Sequence, residues 1–372
     1  MTRGYETFSK IGNNQLKEPM FLGQSVNVAR YDQNRYSIFE KLIEKQLSFF
    51  WRPEEVNVTI DGIQYKHLLE HERHIFLSNL KYQTLMDSIQ GRSPNMIFLP
   101  IVSLPELETW IETWSFSETI HSRSYTHIIR AIEPQPDIIF NDIVLNSEIR
   151  KRAESISYYY DQLHYQNILM DASSKSIGVN YNVKEHMRAI YMALQAAHAL
   201  EAIRFYVSFA CSFAFAEREL MEGNAKIIKF IARDEMLHLV GTRTMIRNIM
   251  TGSEGSEWKQ ISAECAREAA NLFEATVNQE IEWVKYLFKD GSILGLNEKI
   301  LTEYIYYIAK SRMDSIDMPS NFEVKNNPIP WIDTWLSSDS VQVAPQEVEL
   351  SSYLTDQIKI DIDSSALESI DI

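Results

Sequence analysis

Two copies of a Glu-x-x-His motif lie far apart in the sequence, and each copy could bind a metal ion. Residues three apart lie on one face of an α-helix, so each copy presents a carboxylate and an imidazole toward the same point. Two other segments with a helical pattern each offer one acid. The four positions are Asp87, Glu118–His121, Glu201 and Glu235–His238. If four helices pack as a bundle, these side chains converge between them and predict a site for two metal ions.

The donor types indicate which metals such a site prefers. Mixed carboxylate and imidazole ligands suit iron or manganese. Four carboxylates balance the charge of two divalent ions, and they also balance two ferric ions bridged by an oxide. Asp87 reaches less far than a glutamate but offers the same oxygen donor. Because four buried acids without a metal would be very costly, we predict a di-metal carboxylate site.

A single Glu-x-x-His motif is more often an exposed pair than a metal site. The chain also contains two decoys, which are segments with similar ligand atoms that we do not expect to bind metal. Asp161-Gln-Leu-His164 has the same spacing in a polar, tyrosine-rich stretch, and residues 70–74 are crowded with charges. We expect both decoys to face solvent. Glu201 differs, because it precedes the apolar run 205–211, where an acid requires an explanation.

The composition indicates one large helical domain. The 372 residues are 45% hydrophobic and include only 12 Gly and 11 Pro. A net charge of −15 without a basic stripe argues against nucleic acid as a direct partner. The two cysteines, Cys211 and Cys265, form no disulfide framework and fit a reducing cytoplasm. Because no uninterrupted apolar stretch approaches the roughly 20 residues of a membrane span, we predict a soluble cytoplasmic protein.

Helical periodicity places the candidate residues on long helices. The predicted helices cover residues 36–51, 68–89, 106–132, 183–221, 224–250, 264–289 and 297–313. Shorter helices are expected within 141–165, and residues 171–182 are turn-rich and hairpin-like. We therefore predict a helical domain over residues 1–343, followed by an acidic tail, 344–372, whose apolar residues could anchor a partner.

Several segments of the chain resemble the sequence motifs of one known family. These motifs are more specific than the spacing of the candidate ligands alone. They are LKEPMF (16–21), LSFFWRPEEV (47–56), DSIQGR (87–92), FSETIHSRSYTH (116–127), EAIRFY (201–206), ARDEMLH (232–238) and NPIPW (327–331). Over nearly its whole length the chain resembles the small, radical-generating subunit of aerobic class Ia ribonucleotide reductase. The resemblance implies an all-α, ferritin-like helical bundle with a di-metal carboxylate site, assembled as a homodimer.

The same resemblance assigns the ligands and the radical. It implies two iron ions in an oxo-bridged diferric site, with manganese less favoured. One ion would be bound by Asp87, Glu118 and His121, and the other by Glu201, Glu235 and His238. O2 would react there, and Tyr125 would carry the stable radical. The spacing agrees, since Tyr125 lies one helical turn after His121, although the motif alone also allows an ordinary core tyrosine.

The resemblance also implies a protecting pocket and an exit route. Phe205, Phe209 and Ile231 would keep water away from the radical, although on sequence alone they are ordinary core residues. The exit route would connect His121 with Asp234 and Trp51, and Asp234 would orient the ligand imidazole. In the tail, Tyr353 would pass the radical to the large (alpha) subunit, with Glu347 nearby. That subunit would then reduce ribonucleoside diphosphates.

Three other functional classes share part of this pattern. A di-iron oxygenase would share the ligands but need an open substrate pocket, whereas the aromatic and aliphatic residues near Tyr125 predict a closed one. A ferritin-like store would share the bundle but have no use for Trp51, Asp234 and Tyr353 together. A purely structural helical protein would not need six buried ligands. The stretch 161–182 departs from the family pattern and is expected to be shortened.

Overall fold

The computed structural model describes residues 4, 6, 9–12, 14–175, 177–324 and 326–337. The predicted tail, 344–372, lies outside these residues, and so do the two relay residues predicted within it, Glu347 and Tyr353. The structure therefore bears on the helical body alone.

The described part of the chain is built from helices, and no strand occurs in it. The α-helices are α1 (Ser37–Ser48), α2 (Thr59–Tyr65), α3 (Glu70–Gln90), α4 (Ser93–Ile97), α5 (Pro105–Ile132), α6 (Pro136–Ile143), α7 (Ser147–Ser174), α8 (Val183–Ala199), α9 (Tyr206–Ala216), α10 (Glu222–Thr251), α11 (Ser256–Leu287), α12 (Glu298–Ser315) and α13 (Ile332–Leu336). A π-helical segment spans Leu200–Arg204, and short 3-10 helices span Gln15–Lys17, Pro53–Glu55 and Leu99–Ile101. The all-α class predicted from the sequence is confirmed.

Helix α5 shows how the sequence builds the centre of the bundle. Pro105 occupies the first turn, where its missing N–H costs nothing, and neither Gly nor Pro interrupts the following residues. The buried face repeats at helical spacing through Trp110, Trp114, Glu118, His121 and Tyr125. Because α5 packs against α1, α2 and α3, this face points into the core.

The predicted helix 183–221 is not continuous. It is α8, then a π turn over Leu200–Arg204, then α9. A π turn inserts a wider turn into a helix and often occurs at functional sites. The run Val183–Ala216 is long and apolar enough to cross a membrane by length and composition, but Glu201 and Arg204 interrupt it, so it is not the uninterrupted apolar stretch that the sequence analysis looked for. Its apolar window is wholly buried, as in the core helix of a bundle.

The prediction of short helices within 141–165 was wrong, because α7 runs unbroken for 28 residues. The side chain of Asn146 caps its first turn by accepting from the N–H groups of Glu148 and Ile149. The buried positions recur every three or four residues, namely Ile149, Ala153, Ile156, Tyr160, Leu163, Asn167 and Met170. Because some of these buried positions carry polar residues, the sequence did not show the apolar stripe that is typical of one long helix. The hairpin expected at 171–182 is absent from the described residues, whose first four there complete α7.

Candidate metal centre

Six side chains from four helical elements converge in the centre of the bundle. The elements are α3, α5, the π segment and α10. The side chains, all fully buried, are Asp87, Glu118, His121, Glu201, Glu235 and His238. Their ligand atoms fall into two groups, each with all atoms within 4.8 Å of one another, namely Asp87, Glu118 and His121, and Glu118, Glu201, Glu235 and His238. The structure therefore brings together all six residues that the sequence analysis named as ligands.

Two carboxylates lie in the middle of this cluster. Nδ1 of His238 lies 3.0 Å from Oε1 of Glu118 and 3.3 Å from Oε2 of Glu235. Nδ1 of His121 lies 3.3 Å from Oε2 of Glu118 and also 3.3 Å from Oε1 of Glu235. Each of these acids thus reaches both imidazoles with a different oxygen. That is the arrangement needed for a carboxylate that bridges two ions.

The other two acids have oxygens without hydrogen-bond partners. Both carboxylate oxygens of Asp87 and Oε2 of Glu201 are buried and accept no hydrogen bond from the described residues. An unpaired buried carboxylate is costly, so these atoms fit a bound cation better than an empty core. The oxygen-rich donor set with two imidazoles is one that suits iron or manganese. The residues present therefore fit a pair of metal ions.

The pKa values indicate that, in the metal-free protein, bound protons offset part of the negative charge of the four acids. Burial raises the pKa of Asp87 well above its usual value, with a further contribution from the charge of Glu118. Burial raises the pKa of Glu201 in the same direction. Burial opposes ionisation of Glu118 as well, but the neighbouring imidazoles hold its pKa at about 2. Burial would lower the pKa of His238, yet Glu118 and Glu235 raise it to about 10. Metal binding must therefore displace protons.

Asp234 orients one of the imidazoles and connects it to Trp51. Oδ2 of Asp234 accepts from Nε2 of His121 at 3.1 Å and from Nε1 of Trp51 at 2.8 Å. With the Nε2 proton held in this way, Nδ1 of His121 is left to face the cluster. The Trp51 and His121 rings lie 6.3 Å apart with an angle of 24° between their planes. Imidazole, carboxylate and indole thus form one buried contact chain.

This chain comes close to the protein surface. Trp51 is 2% exposed and lines a small cavity together with Asp234, Phe50 and Phe116. The last two are exposed and stack on each other at 6.1 Å. The buried indole therefore lies against a small cavity whose walls include two exposed aromatic rings.

Tyr125 lies fully buried on α5, and its hydroxyl has no hydrogen-bond partner among the described residues. Burial raises its pKa well above the usual tyrosine value, and the charge of Asp87 raises it further. The three residues predicted to surround it are also fully buried: Phe205, Phe209 and Ile231. Phe205 and Phe209 stack at 6.0 Å. The phenol is thus dry and protonated, and it lies within the electrostatic reach of the acid cluster.

Sequence reasoning missed two residues that donate hydrogen bonds to the cluster and a third that reaches it through one of them. Trp114 donates from Nε1 to Glu201, and Gln90 donates to the same carboxylate. Tyr160 in turn donates to Gln90. Helical spacing could have found the first two, since Trp114 precedes a ligand by one turn and Gln90 follows a ligand by three residues. Tyr160 offered no such signal, because its helix carries no ligand.

The two decoys behave differently from each other. Asp161 and His164 are both exposed, as predicted. In the cluster 70–74, Glu72 is buried and paired with Arg218 at 2.5 Å, so the expectation that this cluster faces solvent was partly wrong. The ion pair explains how an acid in a charged stretch can be buried without a metal.

The chain matches the family model described as ribonucleotide reductase, small chain, over residues 30–328. It is 59% identical to ribonucleoside-diphosphate reductase 1 subunit beta of Salmonella typhimurium, over 99% of this chain and 100% of that relative. It is 48% identical to the ribonucleoside-diphosphate reductase subunit beta of Enterobacteria phage T4, over 95% of this chain and 96% of the phage protein. These matches cover the whole helical body.

Solved structures show the same fold at much lower identity. The R2 subunit of ribonucleotide reductase from Clostridium botulinum superposes with a TM-score of 0.78 at 24% identity, covering 90% of this chain and 99% of that one. Dimanganese(II)-NrdF of Streptococcus sanguinis superposes with a TM-score of 0.66 at 19% identity, covering 83% of this chain and 98% of that one. At such identities the likeness concerns the fold.

Proposed function

The chain belongs to the ribonucleotide reductase small-chain family, and from that membership we propose how its buried cluster and core tyrosine are used. It is the small, or beta, subunit of a ribonucleotide reductase, and small subunits of this family work with a large subunit. We propose that it binds two metal ions and stores an oxidising equivalent as a radical on Tyr125. The observation that carries this proposal is the six-ligand cluster with a buried phenol one helical turn after His121.

We propose iron as the metal, with Asp87, Glu118 and His121 at one position and Glu201, Glu235 and His238 at the other. The shared reach of Glu118 and Glu235 toward both imidazoles supports bridging by these two acids. Manganese accepts the same ligand types, and one structural neighbour is a dimanganese protein, so manganese is the alternative that the experiment has to separate.

When bound, a reduced metal pair supplies the electrons that reduce O2 and the oxidising power that converts a nearby phenol to a radical. The chain's own contribution is to present a phenol that keeps its proton, because burial and Asp87 hold the pKa of Tyr125 well above its usual value. Oxidation of Tyr125 must therefore remove a proton together with the electron. The buried side chains of Phe205, Phe209 and Ile231 would exclude water and reductants from the product.

The contact chain from His121 through Asp234 to Trp51 is the route we propose for transfer out of the site. Its hydrogen bonds are buried, and they end at an indole just below the surface. From there we propose transfer through Tyr353, with Glu347 nearby, to the large subunit, where a ribonucleoside diphosphate is reduced to the deoxyribonucleotide. The tail would provide the docking segment for that subunit. We further propose, on family grounds, a homodimer in the cytoplasm.

Electron paramagnetic resonance tests this function directly. The metal-free protein would be mixed anaerobically with two equivalents of ferrous iron and then exposed to O2, with Tyr125→Phe treated in parallel. We expect a tyrosyl signal in the parent protein and none in the variant, because the substitution removes the oxidisable hydroxyl. Both proteins should bind the same amount of iron, since Tyr125 is not a ligand.

The outcomes separate the alternatives. Iron uptake without a radical in the parent protein would contradict the radical function with iron and favour storage, oxygenase chemistry or a manganese cofactor. Reductase turnover by Tyr125→Phe with the large subunit would overturn the assignment of the radical to this residue.

A further inference from the structure

A hydrogen-bonded relay of two side chains reaches Glu201 from a helix that contributes no ligand. The Tyr160 hydroxyl, on α7, donates to Oε1 of Gln90 at 2.7 Å. Nε2 of Gln90, at the end of α3, donates to Oε1 of Glu201 at 2.7 Å. The Gln90 side chain is fully buried and that of Tyr160 is 4% exposed. The relay therefore lies inside the core, where each of its hydrogen bonds is shielded from water.

The chemistry of the partners determines which way the Gln90 amide points. A carboxylate that binds a metal is ionised and can only accept hydrogen bonds, so in the metal-bound protein the amide nitrogen must face Glu201. The amide oxygen then faces Tyr160, whose hydroxyl can donate to it. A reversed amide would place two oxygens against each other in a buried site. Tyr160 thus stabilises the one orientation of Gln90 that can hold Glu201.

A second donor acts on the same oxygen of Glu201. Nε1 of Trp114, which can only donate, lies 2.7 Å from Oε1 of Glu201. Oε1 therefore accepts from two buried donors, whereas Oε2 accepts from none. Rotation of the carboxylate away from these donors would break both bonds and leave the buried Gln90 amide without its acceptor, which is costly, although Trp114 would keep its longer bond to Oε1 of Glu118 at 3.2 Å. The carboxylate is fixed with one oxygen occupied and the other free.

We propose that Gln90 and Tyr160 are positioning residues that hold Glu201 as a one-oxygen metal ligand, with Oε2 as the binding atom. The proposal rests on the proposed function, because Glu201 must bind a metal for its orientation to matter. It gives α7 a role in the site, since α7 packs on α3 and α8, the helices that lead into Gln90 and Glu201. Neither residue would touch the metal or the reacting atoms.

The test is an anaerobic titration of the metal-free, full-length protein with Mn(II), in which loss of the free-ion resonance signal counts the binding sites. We expect two ions bound per chain in the parent protein. Gln90→Met should weaken one of the two sites about tenfold or more, as is usual for residues that orient ligands. Tyr160→Phe should weaken the same site by a smaller factor, because it acts through Gln90.

The double variant gives the sharpest result. If Tyr160 acts only through Gln90, adding Tyr160→Phe to Gln90→Met should cause no further loss of affinity. The matched controls are Gln83→Met, on the same helix, and Tyr304→Phe. Both side chains are buried, and neither amide nor hydroxyl has a hydrogen-bond partner. We expect both controls to bind Mn(II) as the parent protein does.

Each outcome has a defined meaning. If the parent protein fails to bind two ions, the proposed function itself is overturned. If the parent binds two and the relay variants bind like their controls, or if the two losses add in the double variant, only the relay is overturned. A lowered melting temperature with unchanged affinity would show a purely structural role. If Gln90→Met does not fold, Tyr160→Phe against Tyr304→Phe decides the question.

Discussion

Two clusters of charged side chains are buried in this bundle, and they are compensated in opposite ways. In the metal centre four acids meet two imidazoles, and four carboxylate oxygens have no hydrogen bond. In the second cluster, Glu280 lies between Arg152 and Arg204, with Nη1 of Arg204 at 3.2 Å and Nε of Arg152 at 3.8 Å. The Tyr82 hydroxyl donates to the same carboxylate at 2.6 Å. Although Oε2 of Glu280 lacks a hydrogen bond, two cations face its charge, and Oε2 of Glu148 pairs with Nη1 of Arg152 at 3.3 Å.

The difference between the two clusters indicates which buried charges need a bound cation. The guanidinium groups cannot lose their protons, so the positive charge that faces Glu280 is present at any ordinary pH. The metal centre reaches balance only with protons or with added cations. The two clusters meet at the π segment, where Glu201 belongs to one and Arg204 to the other. The five residues of the π segment therefore carry both a candidate metal ligand, Glu201, and an arginine of the second cluster, Arg204.

Removal of a shared ligand should have the largest effect on function. We expect Glu118→Ala to abolish binding of both ions, because Glu118 belongs to both groups of ligand atoms. Radical yield and reductase activity should fall at least about 100-fold, in line with the loss of a residue that orients and binds the metal. Metal content after dialysis and the tyrosyl resonance signal are the measurements. The metal-free variant should be less stable than the metal-free parent, because Glu118 pairs with both imidazoles and its removal leaves each of them without that partner.

The control for this experiment is Glu112→Ala, an exposed acid on the same helix. It should keep full metal content and activity. If Glu118→Ala bound two ions with parental affinity, the assignment of a shared bridging acid would be wrong.

The second cluster should respond in the opposite way. Glu280→Gln removes the acid that balances Arg152 and Arg204, and breaking a buried ion pair in this way costs about 3–5 kcal/mol of unfolding free energy. Chemical denaturation of the metal-free protein measures the loss. Glu282→Gln, an exposed acid on the same helix paired with Lys285 at 2.8 Å, should change stability by less than about 0.5 kcal/mol. Equal stability of Glu280→Gln and Glu282→Gln would remove the contrast between the two clusters.

The sequence predicted the parts of this site that follow helical spacing. Glu-x-x-His pairs, and Tyr125 one turn later, follow from residues three or four apart on a single helix. The all-α class followed from long segments without Gly or Pro. The ligand assignments to particular ions, and the roles of Trp51 and Asp234, came from the family resemblance.

Other features depend on contacts between helices that no local pattern contains. The π turn at Leu200–Arg204 is one residue wider than an α turn, and the surrounding apolar sequence carries no sign of it. The stripe of α7 was concealed because Tyr160 and Asn167 occupy positions where an apolar residue was expected. The Glu280 cluster was missed altogether, since its members are spread over 199 residues and four elements.

The dependence of stability on pH should separate a cluster balanced by protons from one balanced by metal. In the metal-free fold the pKa of His238 is raised to about 10 and that of His121 is also raised, each by neighbouring acids acting against burial. The folded state then binds more protons than the unfolded state above pH 6.5, the ordinary histidine value, so stability falls as pH rises toward 10.

Asp87 and Glu201, whose pKa values are raised mainly by burial, act in the same direction. Glu118 acts in the opposite direction only below about pH 4.5, since its pKa is lowered to about 2. Between pH 7 and 9 we expect the metal-free protein to lose at least about 2 kcal/mol, which is the contribution of His238 alone at up to about 1.4 kcal/mol per pH unit. Metal-loaded protein should lose much less, because the ions replace the protons on these ligands. Denaturation midpoints of both forms across this range decide the matter, and parallel curves would show that protons do not compensate the empty site.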